Sequence, residues 1–202
     1  MNPFNIVIGF IPLAVFTVLV NWLPLGWAAA AGLAVAAVLI AVTAAHGGVK
    51  ILPVVQWAVL AGFTMLGFTV GSHAATAFEP YARGLASLAL GAFILATSFS
   101  FPFTMQFARH SVPQQYWKSQ QFLSVNRRIS LAWGLAVLII GVGHLAAAYV
   151  GSGAPVLHLL LDWGIPGYAA YRAYSVTKRA IAQTARSPRP GGADQPAVQS
   201  VH

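Results

Sequence analysis

The sequence predicts an all-α fold: a polytopic bundle of about six transmembrane helices with an interfacial amphipathic segment in its middle. Three observations predict it. The chain is 58% hydrophobic and only 7% charged, against roughly a quarter charged residues in soluble domains. Several apolar runs reach the roughly 20 residues that cross about 30 Å of hydrocarbon as a helix. The basic residues fall in the short stretches between and beyond those runs. A soluble core of buried helices is excluded, because such helices need polar faces that these runs lack.

The first span covers 4–23, with Pro12 inside it and Asn21-Trp22 near its far end. Pro24 and Gly26 make the turn, and Trp22 and Trp27 suit the interfacial aromatic belt. The second span, 27–45, is mostly Ala, Val and Leu, whose small members let helices approach closely in lipid. It ends at His46-Gly47-Gly48, with Lys50 just beyond. The third, 51–70, holds Pro53, Gln56 and Trp57, and Gly67 with Gly71 makes a small-xxx-small pair. The connection 71–80 carries Glu79, four residues before Arg83 and so spaced for a helical ion pair. The fourth span is 82–101, closed by Pro102, which a helix tolerates where it leaves the membrane.

The segment 102–128 is the longest polar interruption. It carries Arg109, Lys118, Arg127 and Arg128 with no acid, interleaved with Phe103, Phe107, Val112, Tyr116, Trp117 and Phe122. Aromatic and basic residues alternating in this way suit an element lying in the headgroup layer. The fifth span is 129–150, the turn Gly151 to Pro155 follows, and the sixth span is 156–171. The membrane domain is thus 1–182, and 183–202 reads as a disordered cytoplasmic tail. The N-terminus has no Lys or Arg before its apolar run, unlike a signal peptide, so the first span is expected to be retained. No internal repeat stands out, which speaks against an inverted-repeat transporter.

Six spans put both termini, the 46–50 turn and the 102–128 segment on one side. That side holds Lys50, the four basic residues of the middle segment, and Arg172, Lys178, Arg179, Arg186 and Arg189, while Arg83 stands alone opposite. The positive-inside bias makes the crowded side cytoplasmic, with both termini inside. The net charge of +8 then points to anionic lipid of the cytoplasmic leaflet as partner, and not to nucleic acid.

The absence of cysteine excludes disulfides, thiol nucleophiles and thiolate metal sites. No Ser/His/Asp set has a recognisable local context, and no phosphate-binding glycine pattern occurs. The reading is therefore of a protein that is not an enzyme, with no catalytic residue, cofactor or metal.

Ionisable residues inside a span cost roughly 2.5–3.5 kcal/mol on insertion scales, which makes each a functional candidate. There are three: His144, His158 and Asp162. His158 and Asp162 share one helix face. A hairpin about Gly151–Gly153 sets His144 level with His158, and Asp162 about one turn deeper. The cluster is expected to meet inside the bundle, either as a mutually satisfied structural pair or as a proton relay or cation site. A second candidate set for interaction is Arg109, Trp117, Lys118, Asn126, Arg127 and Arg128.

Phe10-Ile11-Pro12-Leu13-Ala14-Val15-Phe16 resembles the Phe-Leu-Pro-Leu opening of the bacterial intracellular septation protein A family. Asn126, Leu131-Ala132-Trp133, Gly141 and Ala146-Ala147-Ala148 are similar to that family's penultimate span, and Trp117 and Pro102 also fit. The stretch Phe103 to Arg109 and the basic tail depart from its pattern. The resemblance implies an inner-membrane protein that supports septum formation and envelope upkeep through contacts with division or elongation proteins. The alternative from the residues alone is a small transporter or channel using His144, His158 and Asp162.

Overall fold

The computed structural model describes residues 3–70, 72–109 and 111–186. Among them are nine α-helices and no strand: α1 (Phe4–Ile8), α2 (Ile11–Leu19), α3 (Leu25–Ala45), α4 (Ile51–Thr69), α5 (Ser72–Ser98), α6 (Met105–Ala108), α7 (Gln120–Val150), α8 (Pro155–Leu159) and α9 (Ile165–Arg186). Four stretches are helical, long and apolar enough to cross a membrane: Leu25–Ala45, Ile51–Thr69, Ala77–Ser98 and Gln120–Val150. They match the second to fifth expected spans; the stretches expected as the first and sixth are not among them.

The first is broken into α1 and α2. Pro12 has no N–H, and its ring crowds the carbonyl four residues back, so a continuous helix fails here. The break leaves one rung open, and Gln56 of α4 fills it. Its side-chain oxygen accepts from Leu13 N at 3.0 Å, and its nitrogen donates to Gly9 O at 2.6 Å. In lipid a freed backbone pair must find a partner inside the protein, and here one amide serves both halves.

The sixth is a composite. A 3-10 turn at Gly151–Gly153 leads into α8, one turn of π-helix covers Leu160–Gly164, and α9 then continues to Arg186. Residues 183–186 of the expected tail are thus helical, and the remainder lies outside the described residues. Arg172, expected beyond the sixth span, instead lines a groove between α7 and α9 with Ala132, Ala136 and Tyr168.

Two further expectations change. The connection 71–80 is not a loop, because α5 starts at Ser72 and carries Pro80 within it. The 102–128 segment does not lie flat throughout. Phe103, Met105, Phe107 and Ala108 are buried, and the Thr104 hydroxyl donates to Asn126 O at 2.9 Å and meets Ser130 Oγ at 3.0 Å. The stretch therefore folds back under the bundle. From Gln120 it is already helix, started by Ser119, whose hydroxyl accepts from Phe122 N at 3.2 Å.

The most extensive helix contact is between α5 and α7. It is a seam of reciprocal glycines and leucines: Gly84 faces Leu145, Leu88 faces Gly141, Gly91 faces Leu138, and Leu95 faces Gly134. A Cβ on Gly141 would stand 2.9 Å from the Leu88 backbone nitrogen, so only hydrogen fits. The same spacing occurs on both helices. Ala82-x-Gly84-Leu85-Ala86-x-Leu88-x-x-Gly91 matches Ala132-x-Gly134-Leu135-Ala136-x-Leu138-x-x-Gly141. A short internal repeat thus exists, and its two copies pack antiparallel. Small residues let backbones approach where lipid provides no hydrophobic drive.

Aromatic rings tie α1–α4 to this seam. Phe16, Phe63 and Phe78 stack in series at 5.8 and 6.0 Å, and Phe10 lies 4.9 Å from Trp133.

Candidate functional site

The structure brings together part of the expected intramembrane cluster and adds a member that sequence reasoning placed elsewhere. Arg83 Nη1 donates to Asp162 Oδ2 at 2.9 Å, with the two side chains 8% and 5% exposed. Arg83 therefore pairs across the bundle and not with Glu79 along its own helix. The reason is burial: an ionised carboxylate buried in the bundle needs a counter-charge, and the Gly84–Leu145 contact carries α5 past α7 at this level.

His144 is buried beside the pair and within reach of both charges. Its depth differs from expectation. Gly143 lies against the Leu161 carbonyl, where a Cβ would come to 2.8 Å. That sets His144 level with Asp162, while His158 faces Ala147 and Ala148 about one turn nearer the end of the bundle. The 3-10 turn and the extra residue of the π-turn displace the register of the hairpin. π-turns of this kind recur where a helix must re-aim one side chain.

The result is a neutral buried pair, a neighbouring imidazole, and a cleft of about 590 Å³ lined by Arg83, Pro80, Ala147 and His158. His144 Nδ1 and Asp162 Oδ1 have no hydrogen-bond partner among the described residues. Among the described residues, no three His, Cys, Asp or Glu side chains converge on a metal-binding geometry.

The second candidate set lies at the opposite end. Cleft linings join the 46–50 turn to Arg109 and Trp117, and Phe122 and Asn126 to Ile181 and Thr184 of α9. This end therefore gathers Lys50, Arg109, Lys118, Arg127, Arg128, Lys178 and Arg179. Lys118, Arg127 and Arg128 are exposed, and Arg127 Nη2 donates to Phe99 O at 2.8 Å. Asn126 is different. It is buried, and its side-chain nitrogen donates to Phe122 O at 2.8 Å, so it belongs to the fold and not to an interaction surface.

Two polar residues escaped the sequence reading. Gln56 carried a signal, because a proline in one span needs an amide or hydroxyl from another. Arg83 carried one too, as the lone cation away from the basic loops and so the available counter-charge for Asp162.

Comparison of the chain with known family models, curated proteins and solved structures finds no match.

Proposed function

We propose that this chain is a bacterial inner-membrane protein that crosses the bilayer six times, with both termini cytoplasmic, and acts as an interaction or scaffold protein. In this reading α1 with α2 forms the first crossing, and α8 with α9 forms the last. Its working surface is the exposed basic face of Lys118, Arg127 and Arg128.

The observation that carries the proposal is a contrast in pairing. Arg83 has a carboxylate at 2.9 Å inside the bundle, whereas these three cations stand exposed at the other end with no ion pair among the described residues. A one-sign exposed face attracts anionic lipid and acidic partners. The resemblance to the septation protein A family supports division or elongation proteins as those partners.

One observation favours a second reading, a proton- or cation-coupled transporter: His144 Nδ1 and Asp162 Oδ1 are buried without a hydrogen-bond partner among the described residues. Proton relays use such groups. The experiment that separates the two compares Lys118→Ala/Arg127→Ala/Arg128→Ala with Asp162→Asn in full-length protein. Loss of co-purifying membrane proteins in the triple variant alone supports the scaffold reading. Loss of proton-coupled uptake in D162N, with partners retained, supports transport and overturns it.

A further inference from the structure

Below the seam, the turn between α3 and α4 and the stretch from Phe101 to Trp117 enclose a cleft of about 500 Å³, walled by His46, Lys50, Phe101, Gln106, Arg109 and Trp117. Its two basic side chains are held by rings and not by carboxylates among the described residues. Lys50 Nζ sits 4.3 Å from the centre of the Phe107 ring. The Arg109 guanidinium sits 4.8 Å from the Trp117 ring and 5.8 Å from Phe101. Arg109 Nε is buried without an acceptor among the described residues. Glu79 and Asp162 both belong to the opposite end of the bundle, so no described carboxylate can serve here.

Aromatic faces orient a cation but do not neutralise it. Partial burial also pushes the Lys50 ammonium below its ordinary pKa, as expected of a charge that has lost water without gaining an anion. Gln106 spends its side-chain oxygen on Ile51 N at 2.7 Å, which anchors the floor. Gly47 and Gly48 have φ of 117° and 120°, a conformation other residues rarely adopt, and a Cβ at Gly48 would meet nothing. The rim on that side is open.

The exposed apolar surface leading to the cleft identifies the ligand class. Val38 and Val42 are 61% and 49% exposed and share the α3 face that ends at His46. Val54 and Trp57 are 38% and 43% exposed and share the α4 face that begins at Lys50. An anion with a hydrocarbon tail satisfies both surfaces at once, and a small soluble anion satisfies only one.

We propose that this cleft is a binding site for an anionic phospholipid, with the phosphate held between Lys50 and Arg109 and the acyl chains lying along α3 and α4. The proposal rests on the reading that this end meets the headgroup layer, and it deepens that reading by naming the site and its ligand.

The test uses the full chain in neutral detergent and counts retained lipid by native mass spectrometry. The added probes are phosphatidylglycerol, phosphatidylcholine, or sn-glycerol 3-phosphate alone. The wild type is expected to retain phosphatidylglycerol over phosphatidylcholine. Lys50→Ala/Arg109→Ala should lower that retention about 30-fold, from two lost basic contacts. Arg109→Lys should fall between, since it keeps the charge but loses the planar stack on Trp117.

Lys178→Ala/Arg179→Ala, which removes the same charge from the exposed end of α9, should change little. Equal loss in the two double variants would reduce the effect to diffuse surface charge and overturn the site. Competition by glycerol phosphate as strong as by the lipid would overturn the lipid assignment. Matched unfolding temperatures of both variants in phosphatidylcholine are required for the comparison. Because the chain has no cysteine, single cysteines at Lys118 and Trp22, labelled from either side of sealed vesicles, report topology separately. Labelling of position 118 from outside would overturn the inside-facing assignment and leave the lipid result standing.

Discussion

Arg83, inside α5, and Arg109, at the C-terminal end of α6, are both arginines among apolar neighbours, yet the molecule treats them in opposite ways. Arg83 is buried against Asp162. Arg109 is stacked against two aromatic rings, with a buried nitrogen that has no partner among the described residues. The chain has three acidic residues against 11 basic ones, so counter-charges are scarce. One is spent where low dielectric makes an unmatched charge most costly. At the other end, aromatic rings hold the cations in place and leave them available to a ligand.

The strongest way to break this comparison is to remove the carboxylate. Asp162→Ala should destabilise the bundle by about 3–5 kcal/mol, since it strands a buried guanidinium. The double variant Arg83→Met/Asp162→Leu should restore most of that loss, because a well-packed apolar pair can replace a buried ion pair. Denaturant or thermal unfolding in detergent measures both. If the single and double variants are equally unstable, the pair contributes shape and not charge matching.

Next in size is the amide that mends the broken helix. Gln56→Leu should cost about 1–3 kcal/mol by orphaning Leu13 N–H and Gly9 C=O, with faster hydrogen exchange at Leu13 as its local signature. Comparable in size is the seam. Gly141→Ala should cost about 1–3 kcal/mol by overpacking, because its neighbour is the Leu88 backbone and cannot swing aside. Gly62→Ala, where a Cβ meets nothing within 4 Å, should be neutral or slightly stabilising by the same assay.

The smallest effect concerns pH at the basic end. Burial holds the Lys50 pKa below its ordinary value, so between those two values the unfolded chain binds more protons than the folded one. Stability must therefore rise with pH across that alkaline window. Below the window the cost of the partly desolvated ammonium is constant. Unfolding followed against pH should show a shallow rise that Lys50→Met removes and that bound phosphatidylglycerol suppresses.

Much of the fold was legible because hydrophobicity is a local property. The runs that became α3 and α4 match their expected bounds within two residues at each end, since lipid demands apolar side chains along the whole helix. α7 starts nine residues before the expected fifth span, because a helix can extend beyond its apolar stretch and Ser119 caps it there. The break at Pro12 is visible in the sequence as a proline inside an apolar run. The Gly/Leu repeat at 84–95 and 134–145 was equally visible, but it is a packing code and not a hydropathy code, so a search for apolar runs passes over it.

The sequence by itself determined that this chain has membrane-spanning character, where its apolar runs lie, and that most of its basic residues fall outside them. Each of these follows from the solvent that a residue and its near neighbours must meet. Only the tertiary structure decided which cation neutralises Asp162, which amide closes the gap between α1 and α2, and which loops enclose the Lys50–Arg109 cleft. All three bring together residues 43 to 79 positions apart, and they depend on how far one helix slides past another. That displacement is set by glycines, a 3-10 turn and one π-turn, whose consequences appear only once the helices are packed.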